Sequence, residues 1–393
     1  MITRAVLPIS MAGFAASLFA RAVDPIIPPI AADLSVDPKL VALLSSAFAL
    51  PFAMFTPIFG PLSDILGKGR LITAGLALLV LSGVAAALAP DFPTLMASRI
   101  AAGIAAGSVF PIAIALIGDL VPVAQRQVAL GRMLMVVMSG TVLGASLSGV
   151  IGDLVGWRGV FLTMTLFGAL ALIAVPFALR GLKLPRPAPV ALKEMPGIYR
   201  DILANPRARV CFTAVLIEGA AVFGLLPYVA LLLHSAGEDR ASIAGLVIAA
   251  FSIGGIGYTV LVGRMLTLWS PMRLMLVGGS LVAAALLAIA GSLPWIWQFV
   301  AFLVVGFGFY SLHGYLQVQV TELSPARGAA TSLHSTSFFL GQAIGPALYA
   351  VGFAHVGAGA SVLIASACFL GLAIVLPRLL AENPDIPDAR PAE

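Results

Sequence analysis

At 393 residues, with 60% hydrophobic and only 10% charged residues, the chain holds more apolar side chain than a soluble fold of its size can hide. Its mean hydropathy of +1.07 points the same way. The net charge of +5 sits in short gaps between apolar runs instead of on one basic face, which argues for topology signals and against a nucleic-acid partner.

A bilayer crossing takes about 20 apolar residues. By that measure, runs fall at 5–32, 40–63, 71–89, 94–120, 129–152, 158–179, 210–233, 241–266, 272–292, 296–321, 328–353 and 359–379. The chain therefore reads as an all-α membrane protein with twelve transmembrane helices. The first run follows Arg4 and lacks a small-residue cleavage site, so it is expected to be a retained helix and not a secretory signal.

Within that run, Arg21 and Asp24 are spaced i, i+3 and share a face. They read either as a neutralising ion pair or as a water-facing pair that exchanges partners with a proton or an anionic group. Pro25, Pro28 and Pro29 should interrupt the helix just beyond. After the second run comes Gly60-Pro61-Leu62-Ser63-Asp64-Ile65-Leu66-Gly67-Lys68-Gly69-Arg70. Here Gly60 should let two helices approach and Gly67 should permit a tight turn. Asp64 sits where an opposing helix N-terminus or an arginine can hold it. The fourth run carries Arg99 and Gly103, and the fifth Gly140, Gly144 and Gly149, glycines spaced for backbone-to-backbone packing. Trp157-Arg158 opens the sixth as an interfacial anchor.

The stretch 180–209 is the one long polar interruption and divides six runs from six, giving segments 1–180, 181–209 and 210–393. Beyond it, Glu218 has no basic neighbour in its own run. Burial disfavours the charged form of a carboxyl, so Glu218 is expected either to load and release a proton or to be paired with Arg99 or Arg21. Tyr228 follows Pro227 as a candidate aromatic wall or gate. In the tenth run Tyr310, His313 and Gln317 form a polar stripe, one turn after Gly306, that suggests a wet cavity wall. The eleventh carries Gly341, Gly345 and Pro346. Cys211 and Cys368 lie in separate apolar runs, so no disulfide and no metal site is expected; His234 and His355 need no role.

The halves match at a constant offset of 203 residues: Phe48 with Phe251, Gly60 with Gly263, Arg70 with Arg273, Gly75 with Gly278, Gly103 with Gly306, Asp119 with Glu322, Pro122 with Pro325. That is the mark of internal duplication. With the N-terminus in the cytoplasm, seventeen of the 22 Lys and Arg fall on the inner side, so both termini are expected to be cytoplasmic.

With Gly60, Asp64, Gly67, Lys68 and Arg70 after the second helix, Arg99 through Gly103, Gly140 through Gly149 and Trp157-Arg158, the chain resembles a major facilitator superfamily transporter of the drug or metabolite proton antiporter kind. Ile65 departs from the basic residue usual in the first motif. Ala145 stands where the helix 5 antiporter motif has proline, and Ala102 where the helix 4 pattern often has Gln. The resemblance implies two pseudo-symmetric six-helix bundles, a cavity lined by helices 1, 4, 7 and 10, and a cytoplasmic gate at the Asp64 loop.

No phosphate-binding loop and no catalytic constellation is present in the sequence, so neither an ATP-driven pump nor an enzyme is expected, and no cofactor or metal. The expected partners are a small-molecule substrate, protons and the lipid bilayer of a bacterial inner membrane, with the chain a monomer. The favoured reading is proton-coupled export, with Asp24 and Glu218 carrying protons and Arg21, Arg99, Tyr228, Tyr310, His313 and Gln317 contributing to the cavity. Two alternatives remain: uptake of an organic anion clamped by Arg21 and Arg99, and a transport-dead sensor or membrane enzyme on the same fold.

Overall fold

The structure is a computed structural model that describes residues 2–180, 182, 195–322 and 327–380, with side chains except at 2–5, 61, 64, 123, 124, 126–128, 195, 321, 327 and 328. The predicted punctuation at 324–326 and the tail after Leu380 lie outside the described residues. So do most of 181–194 and the side chain of Asp64.

Among the described residues every regular element is helical. The first half comprises α1 (Ile2–Arg21), a 3-10 turn (Asp24–Ile26), α2 (Ile27–Leu34), α3 (Pro38–Val41), α4 (Leu43–Leu66), α5 (Lys68–Ala87), α6 (Phe92–Leu120) and α7 (Val123–Leu179). The second comprises α8 (Met195–Ala204), α9 (Pro206–Glu218), a π turn (Gly219–Phe223), a 3-10 turn (Leu226–Tyr228), α10 (Val229–Ser235), α11 (Ala241–Leu268), α12 (Pro271–Ile289), α13 (Trp295–Glu322), α14 (Arg327–His355) and α15 (Ala358–Leu380). Among the described residues eleven stretches are long and apolar enough to cross a membrane. One of them, Ala129–Leu179, spans 51 residues and is broken at Gly156, whose φ of 78° leaves the helical region. Its two arms are the fifth and sixth predicted helices, so twelve crossings result.

Helix starts follow from capping chemistry. Asp91, Asn205 and Ser270 each accept a backbone N–H of the next turn, and each is followed by proline at the first or second helical position. Asn205 starts α9 at Pro206, four residues before the predicted run, and α8 fills part of the stretch expected to be a plain linker. At Gly67 the φ of 92° lets α4 turn directly into α5. Lys68 Nζ then reaches Asp119 Oδ2 at 2.5 Å, fastening α5 to the end of α6.

The duplication is visible in the packing. A Cβ on Gly103 would collide with the carbonyl of Phe48, and one on Gly306 with the carbonyl of Phe251, the same crossing displaced by 203 residues. Gly75 against Ser108 and Gly278 against Ser311 repeat it. Gly140 and Gly144 bring α7 onto the backbone of α1 at Phe14 and Leu18, while Gly341 and Gly345 bring α14 onto Leu216 and Ala220. Gly60 departs from expectation: it is exposed and a Cβ there meets no described atom within 4 Å, so no close crossing depends on it.

The end carrying Arg180, α8 and the turns at 67, 121–122 and 269–270 is here the linker end; the opposite end is the far end. At the far end the halves meet. Asp153 of α7 accepts hydrogen bonds from the backbone N–H groups of Ala241 (3.0 Å) and Ser242 (2.9 Å), capping α11 from the other half. Beside it, Gly149 abuts the Ala241 carbonyl and Gly245 the Ala145 carbonyl, a reciprocal small-residue crossing. Arg158 and Trp157 both donate to Asp33 Oδ2, at 2.6 and 3.1 Å, and so moor the second arm of α7 to α2.

Candidate functional site

Two helices break beside their acidic residue. The prolines after Asp24 remove amide donors, so α1 ends at Arg21 and resumes as α2 after the 3-10 turn. In the second half α9 ends at Glu218 and passes into the π turn, a departure often found at functional positions. One carbonyl of the π turn gains a side-chain partner, as Tyr349 Oη of α14 donates to Ala221 at 2.8 Å; in return Tyr228 Oη, from the 3-10 turn, donates to the carbonyl of Pro346 in α14 at 2.8 Å.

Between the halves lies a cavity of about 190 Å³. It is walled by aromatic rings, Phe48, Phe223, Phe251, Phe309, Phe338 and Phe339, which leave polar contact to Ser17, Arg21, Ser45, Thr141, Tyr310, His313 and Gln342. These come from α1, α4, α7, the π turn, α11, α13 and α14. The resemblance implied helices 1, 4, 7 and 10. Helices 1, 7 and 10 do contribute, whereas helix 4 (α6) does not, and helices 2, 5, 8 and 11 (α4, α7, α11 and α14) complete the wall.

Arg21 is 7% exposed and lines the cavity. Its guanidinium donates to Asp24 Oδ2 at 3.3 Å and to Gln342 Oε1 at 2.6 Å, linking the two halves, and lies over the Phe223 ring at 4.5 Å. Asp24 stands behind it, fully buried, and accepts a second hydrogen bond from Ser45 Oγ at 2.7 Å. A buried charge is tolerable only when paired and hydrogen-bonded, and this one has both.

Arg99 is elsewhere. Fully packed in α6, it donates to the carbonyls of Phe19 (2.9 Å) and Leu44 (3.4 Å) and covers the Phe48 ring. The Phe19 carbonyl is open to it because α1 is ending there. Arg99 thus ties α1, α4 and α6 together behind the cavity wall. It does not border the cavity, and neither does Tyr228, which is buried against Tyr349 and Phe353. Gln317 is exposed and outside the lining, while its neighbours in the stripe, Tyr310 and His313, are both in it.

Glu218 is fully buried and pairs with neither Arg21 nor Arg99. Its Oε1 is hydrogen-bonded to Nδ1 of His313, and its Oε2 has no partner among the described residues. His313 stacks on Phe309 and packs beside Phe338 and His334. His334 of α14, 2% exposed, did not emerge from the sequence reading. The only hint was a histidine inside an apolar crossing, spaced i, i+8 from Gln342 so that both share a face. Among the described residues no cluster of His, Cys, Asp and Glu forms a metal site.

The profile described as Major Facilitator Superfamily matches residues 9–346. Among curated proteins, the chain is 25% identical over 281 residues to the uncharacterised MFS-type transporter YwfA of Bacillus subtilis, covering 71% of this chain and 68% of that one. It is 26% identical to YfhI of the same organism, over 62% and 60% of the two chains. The quinolone resistance protein NorA of Staphylococcus aureus is 35% identical over 151 residues, which span 38% of this chain and 39% of NorA. A crystal structure of a D-xylose-proton symporter superposes with a TM-score of 0.78 over 95% of this chain and 97% of that one at 16% identity, a likeness of fold.

Proposed function

We propose a mechanism from one premise: the chain belongs to the Major Facilitator Superfamily, whose members are membrane transporters. The reading is a proton-coupled secondary transporter that moves a small organic solute through the aromatic cavity by alternating access of the two bundles, residues 1–180 and 210–393. The observation that carries it is the placement of Glu218. It is a carboxyl shut away from water, unpartnered at one oxygen among the described residues, and joined through His313 to the cavity wall. A proton taken up by Glu218 turns its charge-assisted hydrogen bond to His313 into a weaker neutral one, so occupancy of the carboxyl changes the electrostatics of the wall that the solute touches. Asp24 acts through Arg21 in the same way from the first half.

The far-end closure supports an inward-facing state, with the linker end and both termini on the cytoplasmic side of a bacterial inner membrane. Export is supported by the likeness to NorA, a quinolone resistance protein. Loading of everted vesicles with a quinolone, compared with uptake by whole cells and repeated after the proton gradient is collapsed, tests it. Accumulation in vesicles that vanishes without the gradient is the expected result; gradient-driven accumulation in whole cells instead would reverse the direction.

A second reading, uptake of an organic anion, is favoured by one observation: Arg21 is the one lining residue, among those described, that always carries charge. On that reading Arg21→Gln weakens binding of an aromatic carboxylate about tenfold or more, as expected for hydrogen bonds to a charged group. An uncharged analogue of the same ring is unaffected. Calorimetric titration of the two ligands checks it, and equal losses for both would remove Arg21 as an anion clamp.

The far-end cap gives a separate expectation. Asp153→Ala should release the first turn of α11 and shift the molecule toward an outward-open state about fivefold, the equivalent of about 1 kcal/mol for a lost cap. The readout is the labelling rate of a Thr141→Cys reporter by an impermeant maleimide, in a background without Cys211 and Cys368. An unchanged rate would make the cap incidental.

A further inference from the structure

Glu218, His313 and His334 make a continuous string of proton-exchanging groups across three helices. His313 Nδ1 is bonded to Glu218 Oε1, and His313 Nε2 faces His334 Nε2 at 3.5 Å with the ring centroids 4.9 Å apart. Both ends of the string are open: Glu218 Oε2 and His334 Nδ1 are buried atoms without a hydrogen-bond partner among the described residues. Such atoms are costly to leave unsatisfied unless a proton, a water or a ligand visits them.

The string is also graded in depth. At 1.5 Å per residue, Glu218 lies roughly 18 Å from the start of α9, His313 roughly 13 Å from the end of α13, and His334 roughly 10 Å from the start of α14. All three helix ends are at the linker end. Each step from Glu218 to His334 therefore moves toward that surface. Thr331 on α14 and Gln317 on α13, the latter exposed, lie nearer still. The other titratable groups around the string do not replace it. Arg21 and Tyr310 border the cavity, Asp24 is held by Arg21 and Ser45, and Cys211 is buried on α9 itself. Glu322 and Arg378 stand at the linker-end termini of α13 and α15.

We propose that Glu218, His313 and His334 form a proton path through the second half, with His334 the residue through which protons enter and leave at the linker end. This rests on the reading of Glu218 as the proton carrier. The transfer balances without any other reactant. A proton from water binds His334 Nδ1 as His334 Nε2 gives its proton to His313 Nε2. His313 Nδ1 then gives its own to Glu218 Oε1. One proton leaves the water, one carboxylate is neutralised, and both imidazoles end neutral in the opposite tautomer. His313 borders the cavity and serves the solute as well, whereas His334 acts only through His313 and is a positioning and relay residue.

The test uses the full chain in nanodiscs, with no transported solute. A rapid pH drop is followed by time-resolved infrared absorption of the protonated carboxyl, identified as the band lost in Glu218→Gln. His334→Phe is expected to leave the amplitude of that band intact and slow its appearance tenfold or more. His334→Asn, which keeps polarity without exchanging protons and guards against misfolding of the first variant, is expected to do the same. His334→Glu is expected to recover most of the rate. Native rates in His334→Phe and His334→Asn would overturn the path while leaving Glu218 as carrier. Absence of any band lost in Glu218→Gln would overturn the carrier and the path together.

Discussion

Glu218→Gln is expected to abolish gradient-driven transport of a quinolone in everted vesicles, with at least about a 100-fold fall in rate, the scale of removing a positioned acid–base group. The amide matches the carboxyl in shape and still hydrogen-bonds His313, so the cavity and its solute contacts survive. What is lost is the capacity to gain and release a proton. Solute exchange at equal concentrations, which needs no net proton movement, is therefore expected to continue at close to the native rate. That split between driven transport and exchange is what a structural role for Glu218 would not produce. Full gradient dependence in the variant would move the coupling site elsewhere, with Asp24 the next candidate.

The second large effect is on folding. Gly306→Leu places a side chain against the Phe251 carbonyl, and Gly103→Leu does the same at Phe48. Overpacking of a tight contact costs about 1–3 kcal/mol, and a backbone atom has less room to yield than a side chain. Against a total stability of about 5–15 kcal/mol, one such change should lower the thermal unfolding midpoint in detergent markedly. The pair should eliminate monodisperse protein. Gly118→Ala is the control: a Cβ there meets no described atom within 4 Å, and alanine is the better helix former. If the Gly306 variant unfolded at the control's temperature, the crossing would not be the close one described.

Much of this architecture is readable from the amino acids because the bilayer imposes a length and the caps impose their own residues. The runs of about 20 apolar residues, the Asp91, Asn205 and Ser270 caps with their prolines, and the offset of 203 are all one-dimensional signals. The site is less readable because it depends on how each helix is rotated about its axis, which an apolar run does not encode. Arg99 and Arg21 are alike as intramembrane arginines; one faces carbonyls behind the wall and the other faces the cavity. Tyr228 and Gln317 fall on the wrong faces for the same reason, and His334 looks ordinary until α13 is laid beside it. Asp153 carries no signal at all, because its partners are backbone amides.

The Asp153 cap governs how the far end responds to mutation. A main-chain donor is identical whatever side chain it bears, so position 242, proline excepted, can change without removing a donor, whereas buried Ala241 packs beside Gly152 and tolerates only a small side chain. Loss of that contact by simple replacement is expected at Asp153, which supplies the acceptor, and at Gly149 and Gly245, where a side chain would push α7 and α11 apart. A saturation screen scored for premature outward opening should therefore return Asp153, Gly149 and Gly245 as hot positions and leave Ser242 tolerant.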